Sequence, residues 1–140
     1  MLVADIMTKS VTTVTGDTSL EKLKDIFLQV SFRHLLVEEN NKLVGVLSDR
    51  DVLHHTSPFL GTEHERDLDK HQMQLKCCEF MARDVISVDE ETLIDSASIL
   101  LIENNISCLP VVDEFNEIRG IVSWKDILQY HVYGVDKTLE

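Results

Sequence analysis

Serine and aspartate stand three residues apart at two places, Ser48-x-x-Asp51 and Ser123-x-x-Asp126, each time shortly after a glycine, Gly45 or Gly120. A hydroxyl and a carboxylate at this spacing suit the start of a helix. The serine oxygen accepts from the amide three residues on and the carboxylate reaches back, a capping box with Asp where Glu is usual. The same arrangement suits a ligand. A helix that begins straight after a strand offers free backbone N–H groups and the positive end of its dipole, which favours a phosphate or a ribose. The two readings are compatible, and the residues alone leave both open.

Other chemistry finds little support. Gly45, Gly61 and Gly120 are isolated, so no Gly-rich phosphate loop is formed, and no Gly-x-Ser-x-Gly elbow occurs. Four of the six histidines, His54, His55, His64 and His71, fall between residues 54 and 77. None forms the i, i+4 pair usual for zinc on a helix, so a solvated segment is expected there and no metal site. Cys77-Cys78 lacks the spacer of a metal box, and adjacent cysteines bridge each other poorly. With Cys108 they make an odd count, read as reduced thiols. No catalytic residue is assigned.

The elements that must position the two Ser-x-x-Asp sites are themselves duplicated. Met7, Val11, Val14, Thr18 and Leu35 recur 74 positions later as Met81, Val85, Val88, Thr92 and Leu109. Gly45, Ser48, Asp51 and Leu53 recur 75 later as Gly120, Ser123, Asp126 and Leu128, which places one extra residue in the second copy near Asp113–Asn116. Each copy reads as an apolar lead-in (Val3–Met7; Cys78–Met81), a brief strand (11–14; 85–88), a helix, two strands and a closing helix: β-α-β-β-α, twice. Leu20, Leu23, Phe27 and Val30 share one helical face, as do Ile94, Ala97, Leu101 and, less cleanly, Ile102. Thr18-x-x-Glu21 and Thr92-x-x-Asp95 predict where those helices start. The closing helices are expected near 49–54 and 124–133.

The spacing divides the chain into a first motif (1–53), a polar connector (54–77) with few anchoring apolar residues, a second motif (78–133) and a C-terminal tail (134–140). Within the connector, Leu68 and Leu75 stand one heptad apart and suggest a short exposed helix. The fold class is α/β of the α+β kind, two pseudo-symmetric motifs packed face to face. Composition is that of a soluble globular protein, 44% hydrophobic and 27% charged. The net charge is −12, and residues 77–140 carry thirteen acids against four bases. That field repels polyanions, so nucleic acid and anionic membrane surfaces are poor partners, whereas a few local donors still hold a small anion. No apolar run approaches ~18 residues and the N-terminal stretch lacks signal-peptide form, so a cytoplasmic location is expected.

GVLSDRDVL at 45–53 and GIVSWKDIL at 120–128, with CLPVVDE at 108–114 and the duplication, resemble a tandem pair of CBS domains, also called a Bateman module. RHLLV at 33–37, SDRD at 48–51 and SPF at 57–59 are most similar to the bacterial acetoin-utilisation group of such pairs. The resemblance implies a non-catalytic regulatory module that binds an adenine nucleotide or related adenosyl ligand in the cleft between the motifs. It makes Asp51 and Asp126 the acceptors for the ribose hydroxyls, with Ser48 and Ser123 beside them. It places adenine against Val11, Thr12, Phe32, Arg33 and His34 in the first motif. In the second the equivalents are Val85, Ile86, Ile106, Ser107 and Cys108, with Pro110 of the family's Leu-Pro-Val; Leu36 stands where the first motif would carry that proline. Arg33, Arg50 and Lys125 are the phosphate candidates.

AMP, ADP, ATP, NAD and S-adenosylmethionine all remain open as ligands, and no cofactor is required. Trp124 is read as packing on a helix face or, alternatively, as a platform for the base. Ile26, Leu28, Ile99 and Leu100 exceed what one buried helix face needs and predict a homodimer through the helices. A partner protein whose activity the module regulates is the further expectation. The alternative is a ligand-free dimerisation or interaction module of the same fold.

Overall fold

The computed structural model describes residues 1–134, so the tail expected from 134 lies, beyond Gly134, outside the described residues. Helix and strand alternate as the duplication requires. The first motif runs β1 (Thr13–Val14), α1 (Leu20–Gln29), β2 (His34–Glu39), β3 (Lys42–Ser48) and α2 (Asp49–His55). A short helix α3 (Asp67–Gln72) follows, then α4 (Ile94–Asn104), β4 (Cys108–Val112), β5 (Ile118–Ser123) and α5 (Trp124–Tyr133).

β1 pairs in parallel with β2 in a three-stranded sheet of order β1-β2-β3, and β4 pairs antiparallel with β5. The expected opening strand of the second motif is reduced to one parallel bridge, Val88 to Val111. Asn40 and Asn41, at φ of 53° and 67°, turn β2 into β3 through the left-handed region that asparagine tolerates. The second motif uses the longer loop 113–117, where Asp113 Oδ1 accepts from the amides of Phe115 and Glu117, both at 2.9 Å. The predicted extra residue lies here.

The apolar faces behave largely as the periodicity requires. Leu20 and Leu23 of α1 are fully buried, and Ile94, Ala97 and Leu101 of α4 line a core, whereas Ile102 is 79% exposed. The two helix starts differ from expectation. Ser19, not Thr18, caps α1, its hydroxyl accepting from Lys22 N at 3.2 Å. Thr92 instead closes the turn before α4: its hydroxyl donates to Asp89 Oδ1 (3.0 Å) and accepts from Asp89 N (3.2 Å), which leaves Leu93 at the N-cap position.

The described residues form two compact units, and the lead-in segments are exchanged between them. One unit comprises Met1–Val11, Asn41–Leu43 and the residues from Ile86 on; the other comprises Thr12–Asn40 and Val44–Val85. Val3 N donates to Thr92 O (2.8 Å), and Thr8 and Ile121 exchange both backbone bonds (2.8 and 3.0 Å). Val3, Ile6 and Met7 accordingly sit in the core with Leu109, Val111 and Val122 of the second motif. Cys77, at the end of the connector, and Met81, in the lead-in of the second motif, pack with Leu20, Leu35 and Leu47 of the first, and Ala82 exchanges backbone bonds with Val46 (3.1 Å each).

The exchange explains the two glycines of the repeat. A Cβ on Gly120 would lie 2.7 Å from the Thr8 carbonyl oxygen and 2.9 Å from Met7 Sδ. On Gly45 it would meet Met81 Sδ at 2.5 Å and the Ala82 carbonyl at 3.1 Å. A thioether swings aside easily; the Thr8 carbonyl, held by its bridge to Ile121, does not. Gly120→Ala should therefore destabilise the protein by about 1–3 kcal/mol, the range for overpacking, and Gly45→Ala by less. Urea denaturation with equal midpoints for the two variants would contradict this.

The connector also differs from expectation. Leu60, Met73, Leu75 and Cys77 all pack on the first-motif core, and the amides of Leu20 and Glu21 donate to the carbonyls of Leu75 (2.8 Å) and Met73 (3.0 Å). Leu68 is 65% exposed, and α3 ends before Leu75, so the two leucines do not form one face. The fold-back buries Asp69, which is 2% exposed. It accepts from Arg66 N (2.8 Å), Nε (3.2 Å) and Nη2 (3.0 Å), and the Arg66 guanidinium covers the Phe59 ring at 5.4 Å. The Arg66 guanidinium bonded to Asp69 holds its carboxyl well below the usual carboxylate range.

Candidate functional site

Each Ser-x-x-Asp stretch lies where a strand turns into a helix, and both capping boxes form. In the first motif Ser48 Oγ accepts from Asp51 N (3.2 Å), and Asp51 Oδ2 accepts from Ser48 N (2.8 Å). In the second, Ser123 Oγ accepts from Asp126 N (3.3 Å), and Asp126 Oδ2 accepts from Ser123 N (2.9 Å) and from the Ser123 hydroxyl (3.1 Å). The capping reading of these residues is thus correct as geometry. It also leaves both carboxylates half-exposed. A carboxylate has room for about four accepted bonds, so a cap does not exhaust it.

A second contact recurs in both motifs and assembles the rest of the junction. Asp49 N donates to Arg33 O at 3.0 Å, and Trp124 N donates to Ser107 O at 3.1 Å. These bonds tie the residues that enter β2 and β4 to the first residues of α2 and α5. Arg33, His34, Ser48, Arg50 and Asp51 therefore come together in one unit, and Ser107, Cys108, Ser123, Lys125 and Asp126 in the other. Sequence reasoning missed the roles of Asp49 and of the Arg33 and Ser107 carbonyls; a backbone acceptor leaves no mark in the residue types.

The remaining predicted residues are placed less uniformly. Thr12 is exposed and precedes Thr13, which pairs with Leu36, so β1 runs alongside the start of β2. Phe32 is 43% exposed and Ile106 36%, while Pro110 is buried within β4. Val11 belongs to the compact unit of the second motif and Val85 to that of the first, so neither joins its own motif's junction within a unit. Ile86 is half-buried in the second-motif unit. Trp124 is 57% exposed, so it does not pack within the core of its own unit.

Burial pushes the His34 imidazole below its ordinary value, against the opposing pull of the Asp49 and Asp51 carboxylates. Burial alone pushes the Cys108 thiol up to about 12, and burial first of all raises Cys77 to about 11. Both thiols are therefore protonated and poorly nucleophilic. All three cysteines are free. Among the described residues, no group of three or more His, Cys, Asp or Glu could hold a metal ion, and no helix is long and apolar enough to cross a membrane.

The CBS domain family matches the chain twice, at residues 3–57 and 77–133. A protein of Methanocaldococcus jannaschii is 28% identical over 134 residues; the match takes in 92% of this chain but only 46% of that relative, so the chain spans about half its length. Among solved structures, a CBS domain pair in complex with 5′-methylthioadenosine and S-adenosyl-L-methionine is 28% identical, with a TM-score of 0.77 over 94% of this chain and 96% of that one. A protein in complex with AMP is 25% identical, with a TM-score of 0.79 over 94% and 96%. An acetoin utilization protein from Vibrio cholerae is 25% identical, with a TM-score of 0.77 over 94% and 90%. Two matched segments, each with a helix, two strands and a closing helix and a formed Ser-x-x-Asp junction, make the chain a member of the CBS domain family, as a tandem CBS pair.

Proposed function

We propose that this chain is a non-catalytic regulatory module, acting in the cytoplasm, that binds an adenine nucleotide or related adenosyl ligand at its Ser-x-x-Asp junctions. The observation that carries this reading is the repetition of one construction in both motifs: a capped carboxylate held beside the residues that open the next strand. Asp51 and Asp126 accept from the ribose hydroxyls, and Ser48 and Ser123 hold those carboxylates in place. Adenine lies against residues 32–34 or 106–108, and the basic residues beside the junctions are Arg33 and Arg50 in the first motif and Lys125 in the second. The family is regulatory in kind, and structural neighbours hold AMP, 5′-methylthioadenosine and S-adenosyl-L-methionine. Titration with AMP, ADP, ATP, NAD and S-adenosylmethionine tests the proposal. Saturable binding of at least one is expected, and no binding by any of them rejects it.

A specific observation also favours a dimerisation role, which is compatible with ligand binding. α4 and α5, in one unit, each carry an uncovered apolar stripe: Ile99 (53% exposed) and Ile102 (79%) on α4, Leu128 (53%) and Val132 (63%) on α5. Leu28 of α1 is 76% exposed, whereas Ile26 and Leu100 are half-buried against their own cores. Apolar stripes of this kind mark interaction surfaces. The protein should therefore run at about twice 16.0 kDa in light scattering, and Ile102→Lys should return it toward the single-chain mass. A wild-type mass near 16.0 kDa throughout the micromolar range would contradict the homodimer.

A further inference from the structure

The two junctions share a backbone construction but not their side chains. The Asp49–Arg33 and Trp124–Ser107 backbone bonds, 3.0 and 3.1 Å, align the two sites residue by residue. Arg33 then corresponds to Ser107, Arg50 to Lys125, Asp49 to Trp124, and Phe32 to Ile106. Net charge does not separate the sites, because two arginines oppose two aspartates in the first and one lysine opposes one aspartate in the second. The separation lies in donor geometry and in apolar surface. Arg33 and Arg50 are both exposed, and neither is in an ion pair with a described residue. Two planar guanidiniums suit bidentate bonds to a phosphate, whereas the second site offers only the point charge of Lys125. That site instead presents the indole of Trp124, 57% exposed, where the first has Asp49; Ile106 (36% exposed) and its counterpart Phe32 (43%) are both apolar and do not separate the sites. A large apolar side chain left uncovered beside a polar anchor suits the apolar part of a ligand whose sugar the anchor holds.

Building on the adenosyl-binding reading above, we propose that the two motifs divide adenosyl ligands by their 5′ substituent. The first motif takes a 5′-phosphate through Arg33 and Arg50, and the second takes an uncharged, apolar 5′ substituent, with Trp124 as the residue that discriminates.

Asp126→Ala and Asp51→Ala each leave one junction intact, so they isolate the sites for calorimetric titration with two probes, AMP and 5′-methylthioadenosine. Asp126→Ala should bind AMP about 10-fold or more tighter than 5′-methylthioadenosine, the equivalent of one charge-assisted bond. Asp51→Ala should show the reverse preference. Adding Arg33→Gln and Arg50→Gln to Asp126→Ala should remove the preference for AMP, and adding Trp124→Ala to Asp51→Ala should remove that for 5′-methylthioadenosine. The same ligand order at both sites overturns the division while leaving adenosyl binding in place. No binding of either probe by the wild-type protein overturns the adenosyl reading itself.

Discussion

Ile6→Ala should destabilise the core of the second motif rather than that of the first, although Ile6 belongs to the first motif in sequence. Ile6 is 2% exposed and lies in a core with Val3, Met7, Leu109, Val111 and Val122. Truncating a buried isoleucine removes its transfer free energy and leaves a cavity, together about 2–5 kcal/mol. Total stabilities of about 5–15 kcal/mol make that a large share. Native-state hydrogen exchange locates the loss: amides of α4, β4 and β5 should lose protection at lower denaturant, with those of β2 and β3 affected less. Met81→Ala should show the converse pattern, because Met81 packs with Leu20, Leu35 and Leu47. If Ile6→Ala loosened the 12–55 region and spared 86–128, the exchange of lead-in segments would be wrong.

That exchange marks the limit of what the sequence reveals. The helices were legible because Leu20, Leu23, Ile94, Ala97 and Leu101 keep a helical period that only one buried face satisfies. The Ser-x-x-Asp junctions were legible because capping is local, a matter of three residues and two hydrogen bonds. Which motif a lead-in joins is not local. Val3–Met7 and Cys78–Met81 are both short, apolar and methionine-terminated, so the pattern fits either partner. The sign was present in Gly45 and Gly120, which leave room for a methionine and a backbone carbonyl to approach β3 and β5. The connector misleads for another reason. Its many charges read as solvated, yet Asp69 is buried because Arg66, three residues before it, satisfies its carboxylate from both backbone and side chain. Thr92 has the spacing of a cap, but Asp89 lies near enough to claim its hydroxyl first.

The second large effect concerns ligand affinity. Asp51→Ala and Asp126→Ala each remove an acceptor for ribose hydroxyls, and a charge-assisted hydrogen bond contributes roughly 1.5–3 kcal/mol. The dissociation constant at the altered junction should rise by about 10-fold to 100-fold. The fold should persist, because loss of a capping side chain costs only about 1 kcal/mol. Circular dichroism and the melting midpoint separate the two effects: a variant that melts like the parent but binds weakly has lost a ligand contact rather than its structure.

The most direct measurement is a calorimetric titration of AMP into the wild-type protein and into the Asp51→Ala/Asp126→Ala double variant, both shown to be folded. The arrangement of the two junctions predicts saturable binding by the wild type and at least a 10-fold loss of affinity in the double variant. Equal affinity in the two proteins would contradict the assignment of Asp51 and Asp126 as ribose ligands, and with it the placement of the ligand at the Ser-x-x-Asp junctions.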